Sequence, residues 1–287
     1  MNYKSIFRPG LFASQVIIVT GGGSGIGRCT AHELAALGAS VALIGRRIER
    51  LESVQAEIKL AGGGASCHAC DIRDEDRVRD TVAAVIAAHG RIDGLVNNAG
   101  GQFPSPLKDI SMKGWDTVVK NNLTGGFLMA RETYNQWMAA HGGAMVNIIA
   151  DMWEGMPGMG HSGAARAGML NFTETAAVEW AMSGVRVNAV APGWIASSGF
   201  DTYGEAMKPM LKNLKNAVPL KRLGTESEVS AAIVFLLSEA AAFISGSVIR
   251  VDGAAPNAKL HHALAEHTRS HAFNGFHLAS TPKVLQE

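Results

Sequence analysis

The chain has 287 residues, of which 47% are hydrophobic and 18% are charged, and its formal net charge is +1. This composition suits a globular domain with a sizeable core and excludes disordered and fibrous chains. The near-neutral charge gives no reason to expect a nucleic acid or an anionic membrane as a partner, and no apolar run approaches the roughly 20 residues that span a bilayer. Three cysteines without a disulfide pattern favour a soluble cytoplasmic protein.

Short apolar runs alternate along the chain with longer segments whose apolar residues recur at helical spacing. The short runs predict buried strands, because near-continuous Val, Ile and Ala suits a strand that is covered on both faces. Strand–helix alternation implies parallel pairing with right-handed crossovers, so we predict an α/β Rossmann fold with a doubly wound, seven-stranded parallel sheet in three layers. The predicted strands are Val16–Thr20, Val41–Gly45, Ser66–Asp71, Gly94–Asn98, Ala144–Ile149, Val185–Ala191 and Ser247–Val251.

This pattern covers residues ~14–253 without a linker or a repeat, which predicts a single domain over residues 1–287. Residues 254–287 form an extension that we expect to pack on the surface or on a neighbouring subunit. Its histidines lack carboxylate or cysteine companions at a repeated spacing, so no metal site is predicted. They are His261, His262, His267, His271 and His277. Cys67 and Cys70 are interpreted as ordinary strand cysteines.

A glycine-rich loop, Thr20–Gly27, joins the first strand to the first predicted helix. Glycines permit a tight turn and remove the Cβ atoms that would block a pyrophosphate, while the helix N-terminus offers free N–H groups. In this strand–loop–helix context the loop predicts a dinucleotide site, and a flexible turn is the alternative. The predicted cofactor contacts here are Gly21, Gly23, Ser24, Gly25, Ile26 and Gly27.

The end of the second strand indicates which dinucleotide is bound. NAD-specific proteins place a carboxylate there for the ribose, whereas this chain has Arg46 and Arg47, whose guanidinium groups would attract a 2′-phosphate. We therefore predict NADP(H) rather than NAD, with a solvated helix start as the alternative. Asp71 is expected to accept a hydrogen bond from the adenine. Further predicted contacts follow later strands: Ile72, Asn98, Ala99, Gly100, Pro192, Gly193 and Ile195.

Several motifs together resemble the short-chain dehydrogenase/reductase family: T-G-x3-G-x-G, N-N-A-G at 97–100, N-N-L-T-G at 121–125 and R-V-N-A-V-A-P-G at 186–193. Longer strings resemble the peroxisomal trans-2-enoyl-CoA reductases and their dienoyl-CoA reductase relatives. These strings are G-G-Q-F-P-S-P at 100–106, K-G-W at 113–115, H-G-G-A-M-V-N-I-I at 141–149, H-S-G-A-A-R-A-G at 161–168 and Y-G-E at 203–205. The resemblance implies an acyl-CoA-like substrate. It also implies a homotetramer or homodimer that pairs the helices Trp115–Ala140 and Ser162–Met182.

The resemblance also implies a catalytic set of Asn, Ser, Tyr and Lys, and the chain departs from it. Asn122 matches the asparagine, but the serine position holds Ile149 or Ala150, and the Tyr-x3-Lys pair is replaced by Ser162 and Arg166. Interconverting an alcohol and a ketone needs a group that moves the hydroxyl proton. Serine without an adjacent base transfers a proton poorly, and arginine stays protonated. This pair is therefore poorly suited to the reduction of a carbonyl group.

Reduction of an α,β-unsaturated thioester requires less of the protein. Hydride goes to Cβ, and the enolate that forms needs hydrogen-bond donors, which Ser162 and the cofactor ribose can supply. Arg166 would keep the cation that holds the nicotinamide ribose. We therefore predict an NADPH-dependent reductase of trans-2-enoyl-CoA type. Asp151, at a position where the dienoyl reductases carry a catalytic residue, and Tyr203 are candidate proton donors, with a helix-capping Asp and a loop Tyr as the alternatives.

Two other functions stay open from the sequence. The chain could be a reductase or dehydrogenase in the breakdown of branched or terpenoid acids, with CoA or a simple acid as carrier. Alternatively, the loss of the Ser-Tyr-Lys set could leave an NADP(H)-binding sensor or scaffold without catalysis. Gly199, Gly204 and the Met-rich helix predicted over Ala206–Leu214 indicate a mobile lid over the substrate.

Overall fold

The computed structural model describes residues 2–258 and 263–286 and contains a seven-stranded parallel sheet. The strand order β3-β2-β1-β4-β5-β6-β7 reverses direction at β1 and β4, which is the doubly wound arrangement. The predicted Rossmann fold is confirmed, and each predicted strand is present within two residues at either end. The strands are β1 Val16–Thr20, β2 Ser40–Gly45, β3 Gly64–Ala69, β4 Gly94–Asn97, β5 Gly143–Ile148, β6 Val185–Pro192 and β7 Val248–Val251.

Two helical layers cover the sheet, which completes the predicted three-layer architecture. Alternate residues of β1 face opposite layers: Ile17 and Val19 pack with one hydrophobic cluster, and Val16 and Ile18 pack with the other. The first cluster includes α1, α2 and α9, and the second includes α3, α5 and α7. These helices are α1 Gly25–Ala36, α2 Ile48–Leu60, α3 Glu75–His89, α4 Met112–Val119, α5 Gly125–Thr133, α6 Ala139–His141, α7 Gly160–Glu179, α8 Lys208–Asn213 and α9 Glu226–Leu237.

Local sequence signals account for several helix ends. The Asp74 carboxylate accepts the Arg77 N–H at 3.1 Å at the start of α3. Gly90 ends that helix with a φ of +74°, which favours glycine. The side chains of Thr225 and Glu228 form a reciprocal capping box at the start of α9.

Residues 112–141 form one helical stretch in place of the single regular helix predicted over Trp115–Ala140. Two π-helical turns, Lys120–Thr124 and Tyr134–Met138, interrupt it between α4, α5 and α6. Such turns occur frequently at functional sites, and Asn122 lies inside the first one with 2% of its surface exposed.

The C-terminal extension packs on its own chain. Phe276 is buried beside Tyr3 and Cys29 at α1, and Val284 is buried in a second cluster with Leu211 of α8. His261 and His262 lie outside the described residues. Within the described ranges, no group of three His, Cys, Asp or Glu side chains could hold a metal ion. In the same ranges no helix is both long and apolar enough to cross a bilayer.

Candidate active site

The glycine loop folds tightly against the end of β4. A Cβ atom on Gly27 would lie 2.4 Å from both the Asn98 Nδ2 atom and the Gly21 carbonyl oxygen, so only glycine fits there. The Asn98 amide donates to the Thr20 carbonyl at 2.9 Å, which fixes the loop to the neighbouring strand. The structure thus brings Gly21, Gly27 and Asn98, three of the predicted cofactor contacts, into one cradle.

The start of α1 is available to an anion. Ser24 precedes the helix in an extended conformation, and its side chain makes no capping hydrogen bond in the described structure. The first-turn N–H groups, including that of Ile26, therefore keep their capacity to bind a phosphate. A Cβ atom on Gly25 would meet only Glu226 Oε1 at 3.8 Å and Ser198 Oγ at 4.0 Å. This open glycine-lined surface fits the pyrophosphate of a dinucleotide.

The predicted adenosine side of the site contains both positive and negative charge. Arg46 and Arg47 are exposed just before α2. Arg73 donates to both carboxylate oxygens of Asp71, at 2.8 and 2.5 Å. These hydrogen bonds lower the pKa of the Asp71 carboxyl to about 2, so it remains an acceptor at neutral pH. Ile72 is buried and packs against Gly125 of α5, which places the end of β3 firmly.

The residues that follow β4 form the floor of the site. The Thr20 hydroxyl oxygen accepts the backbone N–H groups of Asn98 and Ala99, at 3.0 and 2.9 Å. A Cβ atom on Gly100 would lie 2.4 Å from the Arg166 guanidinium, so this backbone approaches α7 closely because it carries no side chain.

Three of the predicted catalytic residues meet above this floor. The Asn122 amide lies 3.5 Å from the Ser162 hydroxyl oxygen, and the Asn122 carbonyl oxygen accepts the Gly101 N–H at 2.9 Å. Ser162 is buried on α7, and Arg166 follows one helical turn later on the same helix. Asn122, Ser162 and Arg166 therefore form one cluster at the carboxyl ends of β4 and β5.

Arg166 is a buried cation. One of its terminal nitrogens donates to the Ile148 carbonyl oxygen at 2.5 Å, and its Nε atom has no hydrogen-bond partner among the described residues. Desolvation lowers the pKa of the guanidinium to about 10, which still leaves it protonated at neutral pH. An unsatisfied buried donor at this place fits a bound group with oxygen acceptors, such as ribose hydroxyls.

Asp151 stands apart from the Ser162 cluster in its recorded contacts. Its backbone N–H donates to the Pro192 carbonyl at 3.2 Å, and its Oδ1 atom is buried without a hydrogen-bond partner in the described structure. Burial raises the pKa of this carboxyl, Asp252 raises it further, and Arg250 opposes both. The structure thus places Asp151 with the ends of β6 and β7.

The segment after β6 carries the remaining predicted contacts. Gly193 donates its N–H to the Val251 carbonyl at 3.0 Å, and Ile195 is buried and forms an isolated bridge with Gly224. Residues 198–217 follow as a run of short helical turns that we call the lid segment. It contains α8, which corresponds to the Met-rich helix predicted over Ala206–Leu214.

Gln102 is a residue of the site that the sequence analysis did not predict. Its carbonyl oxygen accepts the Ser162 hydroxyl at 2.8 Å, and its amide nitrogen donates to the Tyr203 hydroxyl at 3.3 Å. Gln102 lies in the G-G-Q-F-P-S-P string that carried the family resemblance, which is the one signal that could have drawn attention to it. A second such residue is Glu226 of α9, whose pKa burial raises to about 7 beside Gly25.

Residues 21–254 match the family model described as enoyl-(acyl carrier protein) reductase. A Bacillus subtilis protein named probable 2,4-dienoyl-CoA reductase is 38% identical over 243 residues, covering 83% of this chain and 95% of the relative. A Danio rerio protein named peroxisomal 2,4-dienoyl-CoA reductase is 36% identical over 259 residues, covering 88% and 85%.

Among solved structures, a Pseudomonas aeruginosa PAO1 protein described as citronellol catabolism dehydrogenase is 64% identical, with a TM-score of 0.80. The match covers 88% of this chain and 99% of that one. The chain belongs to the short-chain dehydrogenase/reductase family, as the motifs predicted, and is an oxidoreductase of the kind that uses a nicotinamide cofactor.

Proposed function

We propose that the protein reduces an α,β-unsaturated acyl thioester of trans-2-enoyl-CoA type with NADPH. The observation that carries this proposal is the Ser162–Arg166 pair, which occupies the positions of the family's tyrosine and lysine. A hydroxyl bound to an amide and a buried permanent cation are suited to donating hydrogen bonds, and they are poorly suited to removing a proton from an alcohol.

Bound NADPH would supply the hydride for the Cβ atom of the substrate. Asn122 and Ser162 would donate hydrogen bonds to the thioester oxygen as negative charge develops on it. Arg166 would hold the ribose next to the nicotinamide through its unsatisfied nitrogen. The names of two relatives, both 2,4-dienoyl-CoA reductases, support reduction of a carbon–carbon double bond conjugated to a thioester.

NADP(H) as the specific cofactor rests on Arg46 and Arg47. Both arginines are exposed, where a 2′-phosphate can reach them. The charge of Arg46 contributes to lowering the pKa of the Asp71 carboxyl, so Arg46 and Asp71 face the same region. Replacing Arg46 by Ala is expected to weaken NADPH binding about tenfold or more and to leave NADH binding unchanged. Fluorescence titration with both cofactors measures this difference.

The reaction itself is tested by following the absorbance of NADPH on addition of trans-2-enoyl-CoA substrates of several chain lengths. Oxidation of NADPH with formation of the saturated thioester is the expected result. Turnover of 3-ketoacyl-CoA with no turnover of any enoyl-CoA would refute the proposal. The Ser162→Ala variant should lose most of the activity, whereas the same low activity in both proteins would favour a non-catalytic NADP(H)-binding sensor.

A second candidate is an oxidoreductase for branched or terpenoid compounds with a different carrier. It is favoured by the name of the 64% identical structure, citronellol catabolism dehydrogenase. The two candidates are separated by offering matched sets of straight and methyl-branched substrates as CoA thioesters, free acids and alcohols. Preference for branched enoyl-CoA would support both candidate functions at once. Preference for an alcohol would support the second candidate alone.

Subunit pairing through α5 and α7 remains a proposal. Val178 lies exposed near the end of α7, Met182 lies exposed in the short helical turn that follows, and Phe127 is partly exposed on α5. Apolar side chains at such positions suit a helix-to-helix contact between subunits. Val178→Asp is expected to lower the mass measured by light scattering.

A further inference from the structure

A chain of hydrogen bonds runs from the buried helix α7 to the lid segment. Asn122 donates to the Ser162 hydroxyl oxygen at 3.5 Å, Ser162 donates to Gln102 at 2.8 Å, and Gln102 donates to the Tyr203 hydroxyl oxygen at 3.3 Å. The Ser162 hydroxyl has one proton, and it donates this proton to the Gln102 carbonyl oxygen. Among the described residues, Tyr203 is the acceptor at the end of this chain of hydrogen bonds, which leaves its own proton for donation.

Tyr203 is also distinguished from the other tyrosines, of which the chain has three. The Tyr3 hydroxyl donates to the buried Glu33 carboxyl of α1 at 3.0 Å. The Tyr134 hydroxyl lies 2.9 Å from the Ser183 hydroxyl, and its ring stacks on Trp180 with the ring centroids 4.4 Å apart. Only the Tyr203 phenol is linked to the Ser162 cluster.

We propose that Tyr203 donates the proton that completes reduction at the Cα atom, and that Gln102 is the residue that positions its hydroxyl. This inference rests on the proposed enoyl thioester reduction. The family carries a phenol on α7, at the position that Ser162 holds here. The Tyr203 phenol of the lid segment would replace it, and it is linked to Ser162 through Gln102.

Hydride addition to Cβ moves the double-bond electron pair onto the thioester carbonyl, which gives an enolate held by Asn122 and Ser162. Ser162 must release Gln102 to donate to this oxygen, and Gln102 is then held by Tyr203 alone. The enolate re-forms its C=O bond as a new Cα–H bond takes the proton from Tyr203. The phenolate then recovers a proton from water when the lid opens.

The test compares Tyr203→Phe with Tyr134→Phe as a matched control that also removes only a hydroxyl group. We expect Tyr203→Phe to lower kcat on the order of 100-fold with little change in KM, because general acids contribute by such factors. Its affinity for NADPH, measured by fluorescence, should stay unchanged. Tyr134→Phe should behave as the wild type in both measurements.

A second readout follows the proton itself. In deuterated water, the wild type should place deuterium on one face of Cα, whereas Tyr203→Phe should lose this selectivity because bulk water reaches both faces. Gln102→Leu should lose part of it while binding NADPH normally. Wild-type rate and selectivity in Tyr203→Phe, or a loss in Asp151→Asn instead, would overturn the assignment. Absence of enoyl-CoA turnover in the wild type would overturn the proposed function and this inference with it.

Discussion

The Glu226→Gln substitution would remove a half-buried titratable group while it keeps the shape of the side chain and a hydrogen-bond acceptor. Glu226 is the first residue of α9 and faces Gly25 at the start of α1. Burial raises the pKa of its carboxyl to about 7, although Arg28 and the Ser198 N–H oppose this effect. The neutral form is therefore the one that the fold prefers.

The direction of the pH dependence follows from this preference. In the unfolded chain the carboxyl ionises near its ordinary value of 4.5, and in the folded protein it holds its proton up to about 7. Between these values the folded state binds more protons, so the free energy of unfolding falls as pH rises and levels off above about pH 7. The interval between the two pKa values corresponds to about 3 kcal/mol.

Urea unfolding of the wild type and Glu226→Gln at about pH 5 and about pH 8 measures this contribution. Because glutamine does not ionise, the variant should gain about 2.5 kcal/mol over the wild type between the two pH values, while all other groups cancel in the difference. Glu49→Gln, at an exposed position in the first turn of α2, is the matched control and should show no such gain. A stability difference between Glu226→Gln and the wild type that stays constant with pH would refute the reasoning.

Three further predictions concern the cradle, the buried cation and the extension. Gly27→Ala would force a Cβ atom within 2.4 Å of two polar atoms, so NADPH binding should fall at least about tenfold and the free energy of unfolding by about 1–3 kcal/mol, as read by fluorescence and urea titration. Arg166→Met should weaken NADPH binding by about 10- to 100-fold, with Arg166→Lys intermediate, because a charged hydrogen bond contributes about 1.5–3 kcal/mol; equal affinity in both variants would contradict this. Val284 is 3% exposed and packs against the lid segment, so Val284→Asp would bury a charge there and loosen that contact. Limited proteolysis should therefore cut residues 198–217 faster than in the wild type.

The sheet was predictable because its strands are covered on both faces. Val16–Thr20 is apolar up to its last residue, and Val185–Ala191 is apolar except at Arg186 and Asn188. Short runs of this kind are typical of strands that are covered on both faces. The glycine loop was predictable for a related reason, since Gly27 occupies a position where a side chain cannot fit. In both cases one local physical demand determines the residue type.

Other features depend on contacts between distant parts of the chain. Gln102 contacts Ser162, which is 60 residues away in the sequence, and Tyr203, which is 101 residues away. The spacing of these residues does not predict either contact. The extension has weak periodicity, so the burial of Phe276 and Val284 could not be expected from pattern alone. The π-helical turns escaped prediction because they do not disturb the apolar spacing enough to interrupt a helical pattern.

The π-helical turn Lys120–Thr124 has a consequence for how this helix is aligned with its counterparts. A π turn holds one residue more than an α turn, so a counterpart without it is one residue shorter and still presents its later residues on the same faces. Gly125, just past the turn, lies so close to the side chain and carbonyl oxygen of Ile72 that a Cβ atom would not fit without a shift, and Gly126 lies against the end of the Met169 side chain. An ungapped alignment here would shift the later residues by about 100° round the axis and pair inward residues with outward ones. Loss of a single residue from the turn would displace Asn122, whereas α5 would stay in phase with its neighbours.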